Sequence, residues 1–430
     1  EIANLNDKFP SANVSNTHII GSVNHNKYNK IVDDDIVLAD IVRNLHNLRA
    51  IEAYPRAGPR SMCHFDPRSV RAAIVTCGGL CPGLNNVIRE IVHTLTYSYG
   101  CENVIGVRGG YNGMTDPAYE PIDLTIEAVD MCHHIGGSIL GSSRGGFDAN
   151  KIVDFLLKHG INQLYVIGGD GTHRGALALS QEVIKRDLNI SISGIPKTID
   201  NDVDIIDRSF GFQTAVEAAQ LAIESAKTEA KCNLPNGIGI VKLMGRSAGF
   251  IASHATLSSG DVDLCLIPEI PCELYGEDGF LPFLEQRVKE NGHAVVVVAE
   301  GAGEDVLSAS KEVDAGGNRK LPPIGEFLKH EICQYFKSKD IVSTVKYIDP
   351  SYMIRSVPAN AADGVYCMLL GQNAVHGAMT GFTGFTVGLL NNRVVLMPIE
   401  RVVATSPRTM DVNGRTWERV LAVTRQPKHI

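Results

Sequence analysis

The sequence contains no uninterrupted apolar run of about 20 residues, the length a bilayer-crossing helix needs, so no membrane span is expected. It also lacks a surplus of positive charge: 40 Lys and Arg stand against 48 Asp and Glu, for a net charge of −8. Bulk electrostatics therefore gives no reason to expect a nucleic-acid partner. Local clusters of cations can still hold a small phosphorylated ligand, because a pocket depends on placement and not on totals. The ten cysteines form no zinc-type double pair, and several fall inside apparent strands or helices, as reduced core residues of a cytoplasmic protein would. Cys77 and Cys81 bracket a glycine pair and are read first as core thiols, ahead of a metal or redox pair. No secretory signal is visible, and Lys428-His429-Ile430 is not a peroxisomal address.

What is present is a globular composition, 44% hydrophobic and 20% charged, over 430 residues. That length fits two α/β domains of roughly 150–200 residues better than one core. Residues 1–30 read as a polar arm or surface loop. Apolar residues at Ile36, Ile41, Leu45 and Leu48 have helical spacing, so residues 34–51 are expected to form a helix lying on the body or on a partner subunit. Ala57-Gly58-Pro59-Arg60 is a breaker, and the catalytic body is expected to start near Arg71, leaving 1–70 as an extension.

From there strands alternate with helices, and most strands end in glycine or charge. Strand 71–76 runs into Gly78-Gly79-Leu80-Cys81-Pro82-Gly83 and a helix over 84–95. This loop could bring backbone amides and a helix N-terminus to an anion, although its spacing departs from the dinucleotide fingerprint Gly-x-Gly-x-x-Gly. Strand 104–107 leads to Gly109-Gly110-Tyr111, and a second glycine loop spans 136–146 with Arg144 in its middle. A guanidinium among glycines is read as a phosphate ligand ahead of a surface turn. Strand 163–167 enters Gly168-Gly169-Asp170-Gly171-Thr172 ahead of a helix over 174–185, where Asp170 could hold a Mg²⁺ bridging a nucleotide.

The apolar run 190–195 then stops at Pro196-Lys197-Thr198-Ile199-Asp200-Asn201-Asp202. At the carboxyl edge of a sheet, two carboxylates separated by one residue, behind a lysine and a hydroxyl, suit proton abstraction beside bound phosphate. In the second half, strands 238–243, 262–267, 294–299 and 343–348 end near Arg246, Glu269, Glu300 and Arg355. Residues 382–389 and 394–397 read as a terminal hairpin around Asn391-Asn392.

In this order the strings at 78–85, 136–146, 168–172, 196–202, 242–246, 300–303 and 349–355 resemble the ATP-dependent 6-phosphofructokinases, most closely the long subgroup of plants and trypanosomatids. The resemblance covers roughly residues 57–405. It implies an α/β fold of two Rossmann-like three-layer domains with parallel-rich sheets. A nucleotide domain would comprise 71–211 and 354–404, and a sugar-phosphate domain 212–353 and 405–430, with the active site between them. It further implies an allosteric, homotetrameric enzyme of glycolysis that uses ATP and Mg²⁺ to phosphorylate fructose 6-phosphate. By position, Asp200 would be the base, with Lys197, Thr198, Asp202 and Arg246 around the reaction. Gly79, Tyr111, Arg144, Gly145, Gly169, Asp170, Gly171 and Thr172 would take the nucleotide, with Asp170 on the metal. Met244, Gly245, Arg246, Glu300, Tyr352 and Arg355 would hold the sugar phosphate, and Lys346 would reach it from a neighbouring subunit.

Two departures from the bacterial pattern matter. Lys197 replaces a glycine and is shared with pyrophosphate-dependent relatives, but those carry an aspartate at Gly171, which would crowd and repel the α-phosphate of ATP. ATP is therefore the expected donor, with Lys197 an extra cation for the transferred phosphate. Tyr352 and Gly237 stand where bacterial enzymes use His and Arg, so part of the sugar site is rebuilt. A pyrophosphate-dependent enzyme and a non-catalytic regulatory subunit are the alternatives; the latter usually loses the base that is present here.

Overall fold

The computed structural model describes residues 2–12, 14–16, 30–42, 51–277, 279–304, 306–307 and 321–430. The chain divides into two compact units, each built from discontinuous segments. Unit 1 comprises Glu1–Thr198, Val203–Gly211 and Val357–Ser406; unit 2 comprises Ile199–Asp202, Phe212–Ser356 and Pro407–Ile430.

Five strands of the first half form the centre and one edge of the unit 1 sheet: β1 (Arg71–Thr76), β2 (Asn103–Val107), β3 (Ile122–Asp123), β4 (Gln163–Gly168) and β5 (Ser191–Pro196). Unit 2 contributes β6 (Gly237–Leu243), β7 (Leu264–Leu266), β8 (His293–Ala299) and β9 (Thr344–Ile348), and the chain returns to unit 1 with β10 (Phe385–Leu390) and β11 (Arg393–Pro398). The seven-stranded sheet of unit 1 runs β11-β10-β5-β4-β1-β2-β3, and the four-stranded sheet of unit 2 runs β7-β8-β6-β9. Every pair is parallel except β10 with β11 and β2 with β3. β4, β5 and β10 are buried along their whole length; β4 reads as a largely apolar run, while β5 alternates serine with isoleucine although both of its faces are covered. Because neighbouring strands point the same way, the loops after β1, β2, β4 and β5 share one edge of their sheet, and those after β6, β8 and β9 share one edge of theirs.

The hairpin over β10 and β11 turns at Asn391 and Asn392, with φ of 49° and 59°, the left-handed pair its sequence calls for. It is not terminal, since the helices Ile399–Thr405 and Arg415–Thr424 follow. Helix Leu84–His93 passes into a π turn over Thr94–Ser98 instead of running unbroken to 95.

The extension corrects the expected helix over 34–51. Ile36–Leu38 is a strand paired antiparallel with Ala53–Pro55; the Leu45 and Leu48 positions lie outside the described residues. Its described parts pack on their own unit. Ala3–Asn4 pairs antiparallel with Phe382–Thr383, Ala57 N–H donates to the Val394 carbonyl (2.9 Å), and Leu5, Tyr54, Cys63 and Phe65 are buried. A buried leucine or aromatic side chain contributes about 1.5–3 kcal/mol, so Leu5, Tyr54 and Phe65 together are a large share of a total stability of about 5–15 kcal/mol. A chain starting at Arg71 is therefore expected to melt at least about 10 °C lower or to be insoluble. A calorimetric Tm equal to that of the full chain would return the extension to the status of a detachable arm.

Candidate active site

In unit 1 the glycine loops are tied to one another. Gly78, at φ 84°, donates its N–H to the Ser143 carbonyl (3.0 Å), and Ser142 Oγ donates to the Gly78 carbonyl (2.6 Å). Ser143 Oγ donates to the Gly109 carbonyl (2.6 Å), which joins the loop after β2 to the same lattice. Arg144 is exposed next to this anchored serine, and Gly145 and Gly146 follow at φ 81° and 72°. A Cβ on Gly146 would fall 1.6 Å from Asn112 Oδ1, so the close approach there requires glycine.

The helix after β4 starts at Asp170, four residues earlier than expected, because Gly169 takes the extended N-cap conformation and Asp170-Gly171-Thr172 forms the first turn. Asp170 thus stands at a helix N-terminus, where a carboxylate is favoured and unpaired amides face outward. Tyr111 is buried against Phe147 and donates its hydroxyl to the Thr172 carbonyl (2.8 Å). It therefore supports this turn from behind and does not line an open surface. Gly171 is exposed, and an added Cβ there would meet nothing within 4 Å. Lys197 is buried; its backbone N–H donates to the Gly168 carbonyl (2.9 Å) at the end of β4, and its Nζ donates to the Gly79 carbonyl (2.6 Å) in the loop after β1. Thr198 follows, half-buried.

His173, one turn into the same helix, has no counterpart in the motif reading. It is buried, with Nδ1 3.2 Å from the Gly169 carbonyl and Nε2 3.0 Å from Thr386 Oγ1, and burial pushes its pKa down to about 4. A Cβ on Gly194 would lie 2.8 Å from Nε2, so the ring occupies space that a glycine in β5 leaves open. Cys77 is likewise a core group, its thiol pushed up to about 12 by burial.

In unit 2, Asp200 and Asp202 are half-buried in a loop whose Asn201 sits at φ 58°, a conformation asparagine tolerates. Arg408 grips this loop by its backbone: its N–H donates to the Asp202 carbonyl (2.7 Å) and its Nε to the Asn201 carbonyl (3.1 Å), while its guanidinium lies 5.3 Å from the centre of the Phe250 ring. No local pattern announces a residue two hundred positions away as a partner of this loop.

The other acceptor-side residues gather at the ends of β6, β8 and β9. Gly245, at φ 129°, follows Met244 and accepts from Gly301 N–H (3.2 Å), and Glu300 N–H donates to the Leu243 carbonyl (2.8 Å). Burial raises the Glu300 pKa against the opposing pull of Lys242, Arg246 and Arg355. For Asp349, burial acts upward but is outweighed by hydrogen bonds from Lys242 and Ser351, so its pKa ends lowered; the Lys242 Nζ to Asp349 Oδ2 distance is 2.7 Å. Arg355 stacks over Tyr352, 4.9 Å from the ring centre, and its buried Nε has no hydrogen-bond partner among the described residues. Lys346 is exposed in the middle of edge strand β9, away from the strand ends.

A stability prediction follows from Glu300. Its folded-state pKa lies above the unfolded value, so its stabilising contribution is complete below the unfolded pKa and is lost as pH rises through the folded one. Glu300→Gln is expected to raise Tm at pH 8, with the gap closing as pH falls below the unfolded carboxyl's pKa. A Gln variant that melts lower at every pH would show that the cations around Glu300 outweigh its burial.

The family model described as Phosphofructokinase matches residues 71–378. The chain belongs to this family. Among its relatives, ATP-dependent 6-phosphofructokinase 7 of Arabidopsis thaliana is 51% identical over 400 residues, covering 92% of this chain and 81% of that protein. ATP-dependent 6-phosphofructokinase of Trypanosoma brucei brucei is 46% identical over 373 residues, 86% of this chain and 75% of that one. The crystal structure of a pyrophosphate-dependent phosphofructokinase from Marinobacter aquaeolei has a TM-score of 0.67 at 21% identity, covering 83% of this chain and 91% of that chain, and this likeness concerns the fold alone. Apart from Lys346, the candidate residues of each unit lie in or beside strand-end loops, and the contacts that motif reading did not single out are those of His173 and Arg408 and the pairing of Lys242 with Asp349.

Proposed function

We propose that this protein is an ATP-dependent 6-phosphofructokinase, transferring the γ-phosphoryl group of ATP to the 1-hydroxyl of fructose 6-phosphate. Relatives carrying that name at about half identity over most of both chains support the reaction. The observation that carries the choice of donor is the open, exposed Gly171, which leaves the space an α-phosphate needs beside Asp170. A coupled assay offering ATP or pyrophosphate with fructose 6-phosphate tests it: turnover with ATP is expected, and turnover with pyrophosphate alone would reverse the assignment.

Asp200 is assigned as the base that takes the hydroxyl proton, with Thr198 and Asp202 beside it. On the donor side, Gly79, Arg144, Gly145 and the Gly169-Asp170-Gly171-Thr172 turn hold the nucleotide, Tyr111 braces that turn, and Lys197 offers its ammonium to the moving phosphate. On the acceptor side, Met244, Gly245, Arg246, Glu300, Tyr352 and Arg355 hold the sugar phosphate. In-line transfer needs alignment and charge neutralisation more than covalent help, and these cations and amides provide both. Among the described residues no three metal-ligating side chains cluster, while Asp170 stands at a helix N-terminus near glycine amides. This donor set fits Mg²⁺, which keeps waters and phosphate oxygens and takes few carboxylates. Bound there, Mg²⁺ would neutralise charge on the phosphate oxygens.

The homotetramer is proposed as the working assembly, with Lys346 reaching a neighbouring subunit's sugar phosphate; its exposure on an edge strand supports this. Sedimentation of the purified chain tests it. Among the described residues no helix is long and apolar enough to cross a membrane. The cytoplasm is proposed as the location, although two Arabidopsis relatives are named chloroplastic.

A further inference from the structure

The chain passes from unit 2 to unit 1 between Asp202 and Val203, and three residues after Asp202 it does something costly. Ile205 has a φ of 74°. In a β-branched residue that conformation is a genuine outlier, and it persists only where the surroundings over-determine it. Here they do. Val203 and Ile206 are buried in a cluster with Tyr54, Leu390, Val395, Met397 and Val402, and Ile205 packs against this cluster. Gly388 in β10 makes room for Ile206, since a Cβ there would lie 2.3 Å from its Cγ2. Asp204 N–H donates to Ser406 Oγ (2.9 Å), and Asp207 accepts from the Asn391 and Asn392 amides (2.9 Å each).

The buried cluster member that comes from the extension is Tyr54, with Val37 and Ala39 packed beside the cluster, and it is held from its polar end. Its hydroxyl donates to Glu52, which in turn accepts from Arg401 Nε (2.7 Å) and Nη2 (3.2 Å). Extension, helix Ile399–Thr405 and the exit of the loop that carries Asp200 therefore meet in one cluster.

We propose that Tyr54 is a positioning residue for the phosphoryl transfer: its packing holds Ile205 in the left-handed conformation and thereby fixes where the loop ending at Asp202 leaves off. This inference rests on the reading of Asp200 as the base. A plain core residue would give a different signature, a loss of Tm with kcat intact at temperatures well below melting. Glycine adopts positive φ unaided, so Ile205→Gly removes the need for the brace.

The test is a double-mutant cycle in the full chain, with kcat and both KM values measured at 25 °C. Tyr54→Ala is expected to lower kcat at least about fivefold in the native background and less than about twofold in the Ile205→Gly background, with KM for ATP unchanged. Equal losses in the two backgrounds, or no loss in the native one, would overturn the proposal. Tyr54→Leu and Ile205→Asn replace the first choices if either fails to fold, asparagine being the next best residue at positive φ. Native protein that does not phosphorylate fructose 6-phosphate defeats the functional reading instead. Active native protein with equal losses defeats only this inference.

Discussion

Asp200→Asn is expected to lower kcat about 10²–10⁴-fold, with KM for fructose 6-phosphate changed less than about threefold. The substitution keeps the size of the side chain and removes its ability to take a proton, so a selective loss of kcat is the signature of general-base work. The measurement is interpretable because the loop's backbone has a clamp besides that carboxylate. Arg408 holds the Asn201 and Asp202 carbonyls, and Asn201 is a residue type that accepts φ 58° without a brace. Steady-state coupled kinetics would decide it. A loss of tenfold or less would mean the hydroxyl proton leaves by another route, and an equal rise in KM would recast Asp200 as a binding group.

Gly171→Asp is expected to cut kcat/KM for ATP by at least about 10²-fold, while pyrophosphate use does not fall. The argument is electrostatic and steric: a second carboxylate one residue from Asp170 would occupy and repel the α-phosphate position. Structural collapse is not a competing explanation. The Cβ would enter open space, Gly171 is absent from the positive-φ glycines, and an acidic residue in the first turn of a helix is favourable. Tm should therefore stay level or rise slightly. Native ATP kinetics in this variant would show that the donor phosphates lie elsewhere.

The parallel strands were legible because burial on both faces leaves long apolar runs, and their ends were legible because glycine, proline and charge terminate them. β4 illustrates both: buried throughout and apolar from Leu164 to Ile167, it stops at Gly168 and hands over to Gly169 and Asp170. Helical spacing misled at Ile36 because three pairings with Ala53–Pro55 decide that segment, and tertiary pairing overrides a short periodic pattern. The helix start was placed too late because glycine at 171 looks like a loop residue, although a first turn tolerates it. Arg408, His173 and Tyr54 were illegible for one reason: each acts through a contact with residues distant in sequence, which no local window contains.

The loop bearing Asp200 obtains its backbone clamp from Arg408, and strand β5 obtains the second of its two parallel neighbours from β10 nearly two hundred residues downstream. A nascent chain emerging from the ribosome thus carries the complete glycine lattice long before it can seat the aspartate. The order of synthesis thus separates the two: every residue of the glycine loops leaves the ribosome well ahead of the arginine that clamps the aspartate's loop.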